Sequence, residues 1–340
     1  MRNIKVLGID LAKNVFQIHG TDATGKCVLR KRISRDKLPS YIATIQPCLI
    51  GIEASTGAHY WARLFTSLGH TVKMMAPQFV KPYIKSNKND KNDAGGIAEA
   101  VTRPDMRFVP IKMIEQQDSL LSHRARELVV KQRTAQANQL RGLLAEYGVS
   151  IAQGIRHIHS LVKILDDNND KLTPKSREIF LRLYEQFKIY DSQVSTYDKE
   201  IEREAKQDIK CIELMKIEGI GALTASAAVA TIGDAKCFKN GREVAAWLGL
   251  VPKQHSSGNK IRLSGVSKRG DCYVRKLLIH GARSVVKTCE KKSDKKSLWV
   301  ADKKQRSGYN KAAVALANKN ARIIWAMLST GECYRQSSIA

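Results

Sequence analysis

Lys5-Val6-Leu7-Gly8-Ile9-Asp10 is an apolar run that closes on an acid, and its reading decides the fold of the first third of the chain. A run this short, flanked by polar residues, predicts a buried strand rather than a helix. Val15-Phe16-Gln17-Ile18-His19-Gly20 follows at hairpin distance across Lys13-Asn14, and Val28-Leu29-Arg30-Lys31-Arg32-Ile33 reads as a third strand. A short helix is expected near 36–45. Cys48-Leu49-Ile50-Gly51-Ile52-Glu53 then repeats the opening pattern, an apolar strand ending in an acid. A helix from about His59 to Leu68 and a strand near Thr71–Met75 complete an alternating order.

Asn89-Asp90-Lys91-Asn92-Asp93-Ala94 opens the next helix. Asp90 and Asp93 stand three residues apart, so they share one helix face. Three antiparallel strands, a β-α-β unit and an acidic helix make the ribonuclease-H-like order. A carboxylate just past an apolar strand is held rigidly where the backbone leaves the core. Asp10 and Glu53 both occupy that place. Together with Asp90 and Asp93 they supply oxygen donors suited to magnesium or manganese, and such ions assist phosphoryl transfer. Taken singly, each acid has an ordinary reading: Asp10 caps a turn, Glu53 pairs with a lysine, and Asp90 and Asp93 favour a helix N-terminus. The four in this order, beside a basic surface, point to a metal site working on a phosphodiester.

The 340 residues carry 58 Lys/Arg against 32 Asp/Glu, a formal charge of +26. That excess favours a polyanion, nucleic acid before an anionic membrane. No apolar run reaches the roughly 18 residues of a membrane span, so no membrane partner is expected. The amino terminus lacks a signal-peptide layout. Seven scattered cysteines, with no C-x-x-C pair, argue against a zinc ribbon and fit a reduced, cytoplasmic setting. The charge is uneven: 17 basic and 8 acidic residues over 1–110, 15 and 14 over 111–205, 26 and 10 over 206–340. The near-neutral middle reads as a spacer or protein–protein element, and the last third as the strongest polyanion binder.

In that middle, Leu121, Ala125, Leu128, Gln132, Ala135 and Gln139 follow alternating spacings of four and three. Leu183, Phe187, Tyr190, Val194, Tyr197 and Ile201 repeat them. Thr173-Pro174 supplies a cap and a first-turn proline for the second run. Two heptad-like helices joined by a loop over 148–172 predict a helical hairpin or coiled coil. Pattern alone does not separate packing within the chain from dimerisation.

From about residue 209, Ile217-Glu218-Gly219-Ile220-Gly221-Ala222 resembles the hairpin of a helix-hairpin-helix, with Gly219 and Gly221 letting backbone approach phosphate. Ala245–Pro252 reads as core. Lys253-Gln254-His255-Ser256-Ser257-Gly258-Asn259-Lys260-Ile261-Arg262 and Ser267-Lys268-Arg269-Gly270-Asp271 form a polar, basic loop before a helix over Tyr273–Val286. Lys253, His255, Lys260, Arg262, Lys268, Arg269, Arg275 and Lys276 are the expected nucleic-acid contacts. A serine here serves as a nucleophile or as a phosphate donor, and on chemistry alone the donor role is favoured. Lys291–Lys296 and Lys303-Lys304 are read as a basic surface. A final amphipathic helix over about Ala312–Leu328 turns Leu316, Ile323, Ile324 and Met327 inward.

Taken together, these stretches closely resemble one family over nearly the whole chain. They are Gly8–Lys13, Ile52–Ser55, Asn89–Ala94, Glu218–Gly221, Trp247–Pro252, Gln254–Gly258 and Ser267–Gly270. The family is the DEDD transposases of bacterial insertion sequences that carry a serine in the C-terminal domain, the bridge-RNA-guided recombinases, related to the Piv-type DNA invertases. The resemblance implies a multidomain α/β plus α chain. It would comprise a RuvC-like catalytic domain (1–110), a coiled-coil oligomerisation region (111–208), a mainly helical serine-bearing transposase domain (209–330) and a tail (331–340). It implies Asp10, Glu53, Asp90 and Asp93 as the metal tetrad and Ser257 as the nucleophile, with Ser256 one register away. It implies a composite site, donor and target DNA, a structured guide RNA, and a homodimer or homotetramer. The other classes the residues allow are a water-using, metal-dependent junction nuclease and a non-catalytic nucleic-acid scaffold.

Overall fold

The computed structural model describes residues 3–84, 90–258 and 260–334; the side chains of Asp90 and Lys91 lie outside that description. The chain divides into two compact units, Met1–Ile114 and Glu115–Ala340.

The first unit runs β1 Val6–Asp10, β2 Val15–Thr21, β3 Cys27–Ser34, α1 Leu38–Ala43, β4 Leu49–Glu53, α2 Ala58–Ser67, β5 Thr71–Met75, α3 Pro77–Val80, α4 Asp90–Ala100 and β6 Phe108–Val109. The sheet order is β3-β2-β1-β4-β5-β6. Strand β1 is antiparallel to β2 and parallel to β4, and β4 is parallel to β5. Every strand and helix expected up to Met75 is present within a few residues. The two-residue β6 is an addition at the sheet edge.

Alternation sorts the side chains between the two sheet faces. Leu7, Ile9, Phe16, Ile18, Ile50 and Ile52 pack with Trp61 and Phe65 of α2 and with Leu38 and Ile42 of α1. Val6 and Leu49 point the other way and join Ile97, Ala100 and Val101 under α4. Gly8 and Gly51 lie on that second face and let α4 press against the strands. A Cβ on Gly8 would stand 2.2 Å from the Ala94 carbonyl oxygen, and one on Gly51 2.8 Å from Val101 Cβ.

The second unit contains α5 Ile114–Ala145, α6 Leu161–Asp167, α7 Pro174–Ala205, α8 Ile209–Met215, α9 Ala222–Ile232, α10 Gly241–Trp247, β7 Pro252–Ser257, β8 Lys260–Val266, α11 Cys272–Thr288, α12 Lys295–Ser307 and α13 Tyr309–Thr330. Thr173 caps α7 through the Ser176 amide, with Pro174 in the first turn. Arg126 pairs with Asp198 and Arg133 with Asp191, seven residues forward on α5 against seven back on α7. The two long helices are therefore antiparallel.

The stripe on α7 is inward, with Phe187, Val194 and Ile201 buried. The stripe expected on α5 is not: Leu121 is 67 % exposed and Leu128 57 %. The inner face of α5 carries His123, Val129, Ala137, Leu140 and Leu144 instead. Two of its inward positions are arginines neutralised across the hairpin, and counting apolar residues overlooks them. The expected loop over 148–172 is also corrected. It holds α6 between two 3-10 turns, and Ile158, Leu161, Leu165 and Leu172 close the end of the hairpin.

The remaining helices pack on a core that includes Leu214, Ile220, Ala228, Leu248, Leu278, Leu316 and Ile324. The lower part of α5 belongs to the same body. His123 lies between the Tyr273 hydroxyl (3.0 Å) and Ser226 Oγ (3.2 Å). Lys296, read from sequence as surface, is buried and paired with Glu218 at 2.7 Å. Ile323, expected inward, is only partly buried.

Candidate active site and nucleic-acid interface

In the first unit the acids follow from strand pairing. Ile9 lies opposite Ile52 in the parallel β1–β4 ladder, so Asp10 and Glu53 leave adjacent strands at the same level. Each sits two residues after its glycine, hence on the face that α4 covers. The helix backbone begins at Asp90, and Asp93, half-buried, falls in its first turn, next to the Ala94 carbonyl that lies against Gly8. Strand register thus sets Asp10 and Glu53 side by side at one edge of the sheet, and the first turn of the helix packed on that face carries Asp93.

Gln17, opposite Asp10, and His19, opposite Gly8, face the same side. Burial, then Arg30, holds the His19 pKa below its ordinary range. Sequence reading treated both only as strand residues; the period-two alternation was the available signal.

Among the described residues, no group of three or more His, Cys, Asp or Glu side chains stands as a metal cluster. The Asp90 carboxylate, the fourth of the expected set, is not among them. The donor set itself is all carboxylate, which fits a hard divalent cation.

In the second unit the expected serine loop is a two-stranded hairpin. Gly258, with φ of 55°, supplies the left-handed residue that its tight turn requires. The polar residues of β7 and β8 hide the strand signal because neither face is buried. Register then separates the two serines. Gln254 pairs with Leu263, His255 with Arg262, Ser256 with Ile261 and Ser257 with Lys260. Directly opposed residues share a face. One face carries His255, Ser257, Lys260 and Arg262; the other carries Gln254, Ser256, Ile261 and Leu263. On the second, Ser256 Oγ accepts from Gln254 Nε2 at 3.0 Å.

The root of the hairpin is clasped by the two motifs flanking it. The Ser267 amide donates to the Val251 carbonyl at 2.8 Å. Arg275 donates to the Leu248 and Arg269 carbonyls at 2.9 and 2.7 Å. A Cβ on Gly270 would fall 1.8 Å from the Trp247 carbonyl oxygen. Arg275 thus binds backbone, and Lys276 pairs with Glu127 at 2.8 Å. Lys253, Lys260, Arg262, Lys268 and Arg269 are exposed on or beside the hairpin.

The glycine turn between α8 and α9 is present. Gly219 (φ 85°) lies against Gly281 of α11, and Gly221 precedes the first turn of α9. The hollow beside them also carries Asp198 and Glu202.

Comparison with known proteins finds family models along most of the chain. A DEDD IS110 model, described as "Transposase", matches residues 7–149, and the "Transposase IS116/IS110/IS902 family" model matches residues 211–297. A "Probable family 20 transposase" of Pseudomonas aeruginosa is 44 % identical over 335 residues, covering 98 % of this chain and 99 % of that one. The "Transposase for insertion sequence element IS1111A" of Coxiella burnetii is 45 % identical, covering 98 % and 92 %. The transposase for IS1328 of Yersinia enterocolitica is 39 % identical, covering 98 % and 99 %.

These matches place the chain among the transposases, a class that cleaves and transfers DNA. The chain belongs to the IS110 family of insertion-sequence transposases. Among the described residues, no helix is long and apolar enough to cross a membrane.

Proposed function

We propose that the chain is an RNA-guided DNA recombinase in which Ser257 joins covalently to DNA. The sorting of the hairpin faces supports it most directly. Ser257 shares its face with His255, Lys260 and Arg262, which suit a phosphate, whereas Ser256 lies among Ile261 and Leu263. The first unit is proposed as RuvC-like, with Asp10, Glu53, Asp90 and Asp93 as its tetrad. A magnesium or manganese ion held there would polarise the scissile phosphate and ease loss of the serine proton.

In the proposed step, Ser257 Oγ bonds to phosphorus and its proton leaves the hydroxyl. The phosphorus–oxygen bond to the departing strand breaks, and that strand leaves as a hydroxyl. A hydroxyl from the other DNA reverses the step, freeing Ser257. Lys260 and Arg262 hold the phosphate oxygens, and His255 contacts the same group. The three-part division at 110 and 208, a guide RNA that selects donor and target, a cytoplasmic setting and assembly as a homodimer or homotetramer complete the proposal. The charge of +26 supports the RNA, and the exposed heptad stripe of α5 supports the assembly.

The test is a denaturing gel of protein, magnesium, element-end RNA and labelled DNA, run for wild type, Ser256→Ala and Ser257→Ala. A protease-sensitive protein–DNA adduct lost only in Ser257→Ala is expected. Cleaved DNA without adduct in every lane would mean a water-using nuclease, and adduct surviving in Ser257→Ala would move the nucleophile elsewhere.

A further inference from the structure

The last helix turns one stripe toward a cleft that the chemistry above does not use. Lys311, Lys319 and Arg322 lie on that stripe of α13; α10 contributes Arg242, and α12 contributes Trp299 and Lys303. Pro252 and Val266, the first paired rung of the serine hairpin, close one end. The cleft encloses about 1270 Å³, above the roughly 300–1,000 Å³ of small-molecule sites. Five cationic side chains line it and, among the described residues, no carboxylate does. Lys319 Nζ sits 4.6 Å from the Trp299 ring centroid. Burial, then Lys296 and Arg322, holds the Lys319 pKa below the usual lysine range. Cations crowded in this way favour a bound anion.

We propose that this cleft binds an unpaired stretch of nucleic acid, its phosphates on the five cations and a base against the Trp299 indole. A duplex offers phosphates but keeps its base faces stacked. The Lys319 ammonium lies over the Trp299 ring, and only a base that is free can take its place there when that cation turns to a phosphate. The volume suits a strand segment rather than a lone small ligand. Because the cleft ends at the hairpin root, a strand seated there runs beside the serine arm. The inference rests on the chain acting on nucleic acid and is independent of which serine reacts.

Fluorescence anisotropy tests it with labelled oligothymidine, oligouridine and a DNA duplex. The proteins are wild type, Lys311→Glu with Arg322→Glu, Trp299→Leu and, as control, Lys163→Glu. Both charge-reversed positions are exposed, so the fold survives them, and circular dichroism checks Trp299→Leu. Single-strand affinity is expected to fall at least about tenfold in the charge-reversed protein, with a shallower salt dependence. In Trp299→Leu it falls about tenfold while duplex binding holds. Lys163→Glu, an exposed position outside the cleft lining, binds as wild type. The thymidine and uridine arms tell whether the seated strand is DNA or RNA. Unchanged single-strand binding in the charge-reversed protein overturns the proposal. Equal losses for duplex and single strand, with Trp299→Leu unaffected, would make the cleft a backbone clamp and overturn the unpaired-base reading.

Discussion

The acids and the serine are held in opposite ways. Asp10 and Glu53 end strands buried between α1 and α2 on one side and α4 on the other, with glycines bringing the helix into backbone contact. Ser257 ends a two-stranded hairpin with both faces in solvent. A lone hairpin is marginal in water, so beyond its clasped root its order depends on what it binds. The difference teaches where precision resides: the carboxylates are preorganised by packing, while the arm is positioned by its substrate. On the proposed mechanism, a nucleophile held this way would be committed only when nucleic acid is in place.

The largest effect that would break this contrast comes at Gly8. Gly8→Val should destabilise the first unit by more than about 3 kcal/mol, because its Cβ meets helix backbone that cannot yield. Urea unfolding checks it, and a wild-type midpoint would mean that α4 stands off the strands. Ser257→Ala, by contrast, should stay within about 0.5 kcal/mol of wild type, although on the proposed mechanism it should abolish the adduct.

Next comes pH. Burial, with nearby cations second, pushes His59 and His123 down to about 4 from 6.5. Each accepts or shares hydrogen bonds as a neutral ring: His59 from the Lys112 amide, His123 with Tyr273 and Ser226. The unfolded chain takes up these protons first as pH falls. Their contribution is therefore full above pH 6.5 and lost between 6.5 and about 4, up to roughly 3 kcal/mol for the buried His123 and about half that or less for the partly exposed His59, which solvent screens. Denaturant midpoints that stay flat across that window would show the rings to be solvated.

The smallest effect on stability, yet a clear one on assembly, is expected of Leu121→Glu with Leu128→Glu. Both side chains already face solvent, so unfolding should shift by less than about 1 kcal/mol. Light scattering should show the proposed oligomer reduced to monomer; an unchanged mass would overturn a subunit contact through this stripe.

The amino-terminal sheet was legible because each strand is a short apolar run bounded by turns, and the two strand-end acids fell where those runs stop. The α7 stripe was legible for the same reason: Phe187, Val194 and Ile201 are apolar at heptad spacing and buried. The α5 face was misread because Arg126 and Arg133 point inward, and their charges are acceptable there only beside Asp198 and Asp191. Lys296 looked like one lysine in a basic run; Glu218, distant in sequence, is what allows it to be buried. The hairpin is not legible as strands because strands without a buried face show no alternation.

The sequence by itself determined the strand-end acids, the glycines that precede them, the excess of positive charge and the heptad periods, since each is a local pattern. Only the tertiary structure decided the rest. It put Ser257 with His255, Lys260 and Arg262 and Ser256 with Ile261, because cross-strand register assigns faces that spacing along one strand does not. It turned the α5 stripe outward, and it gathered Arg242, Trp299, Lys303 and the α13 cations into one cleft. Those groups come from separate helices, and only packing brings them within reach of a single ligand.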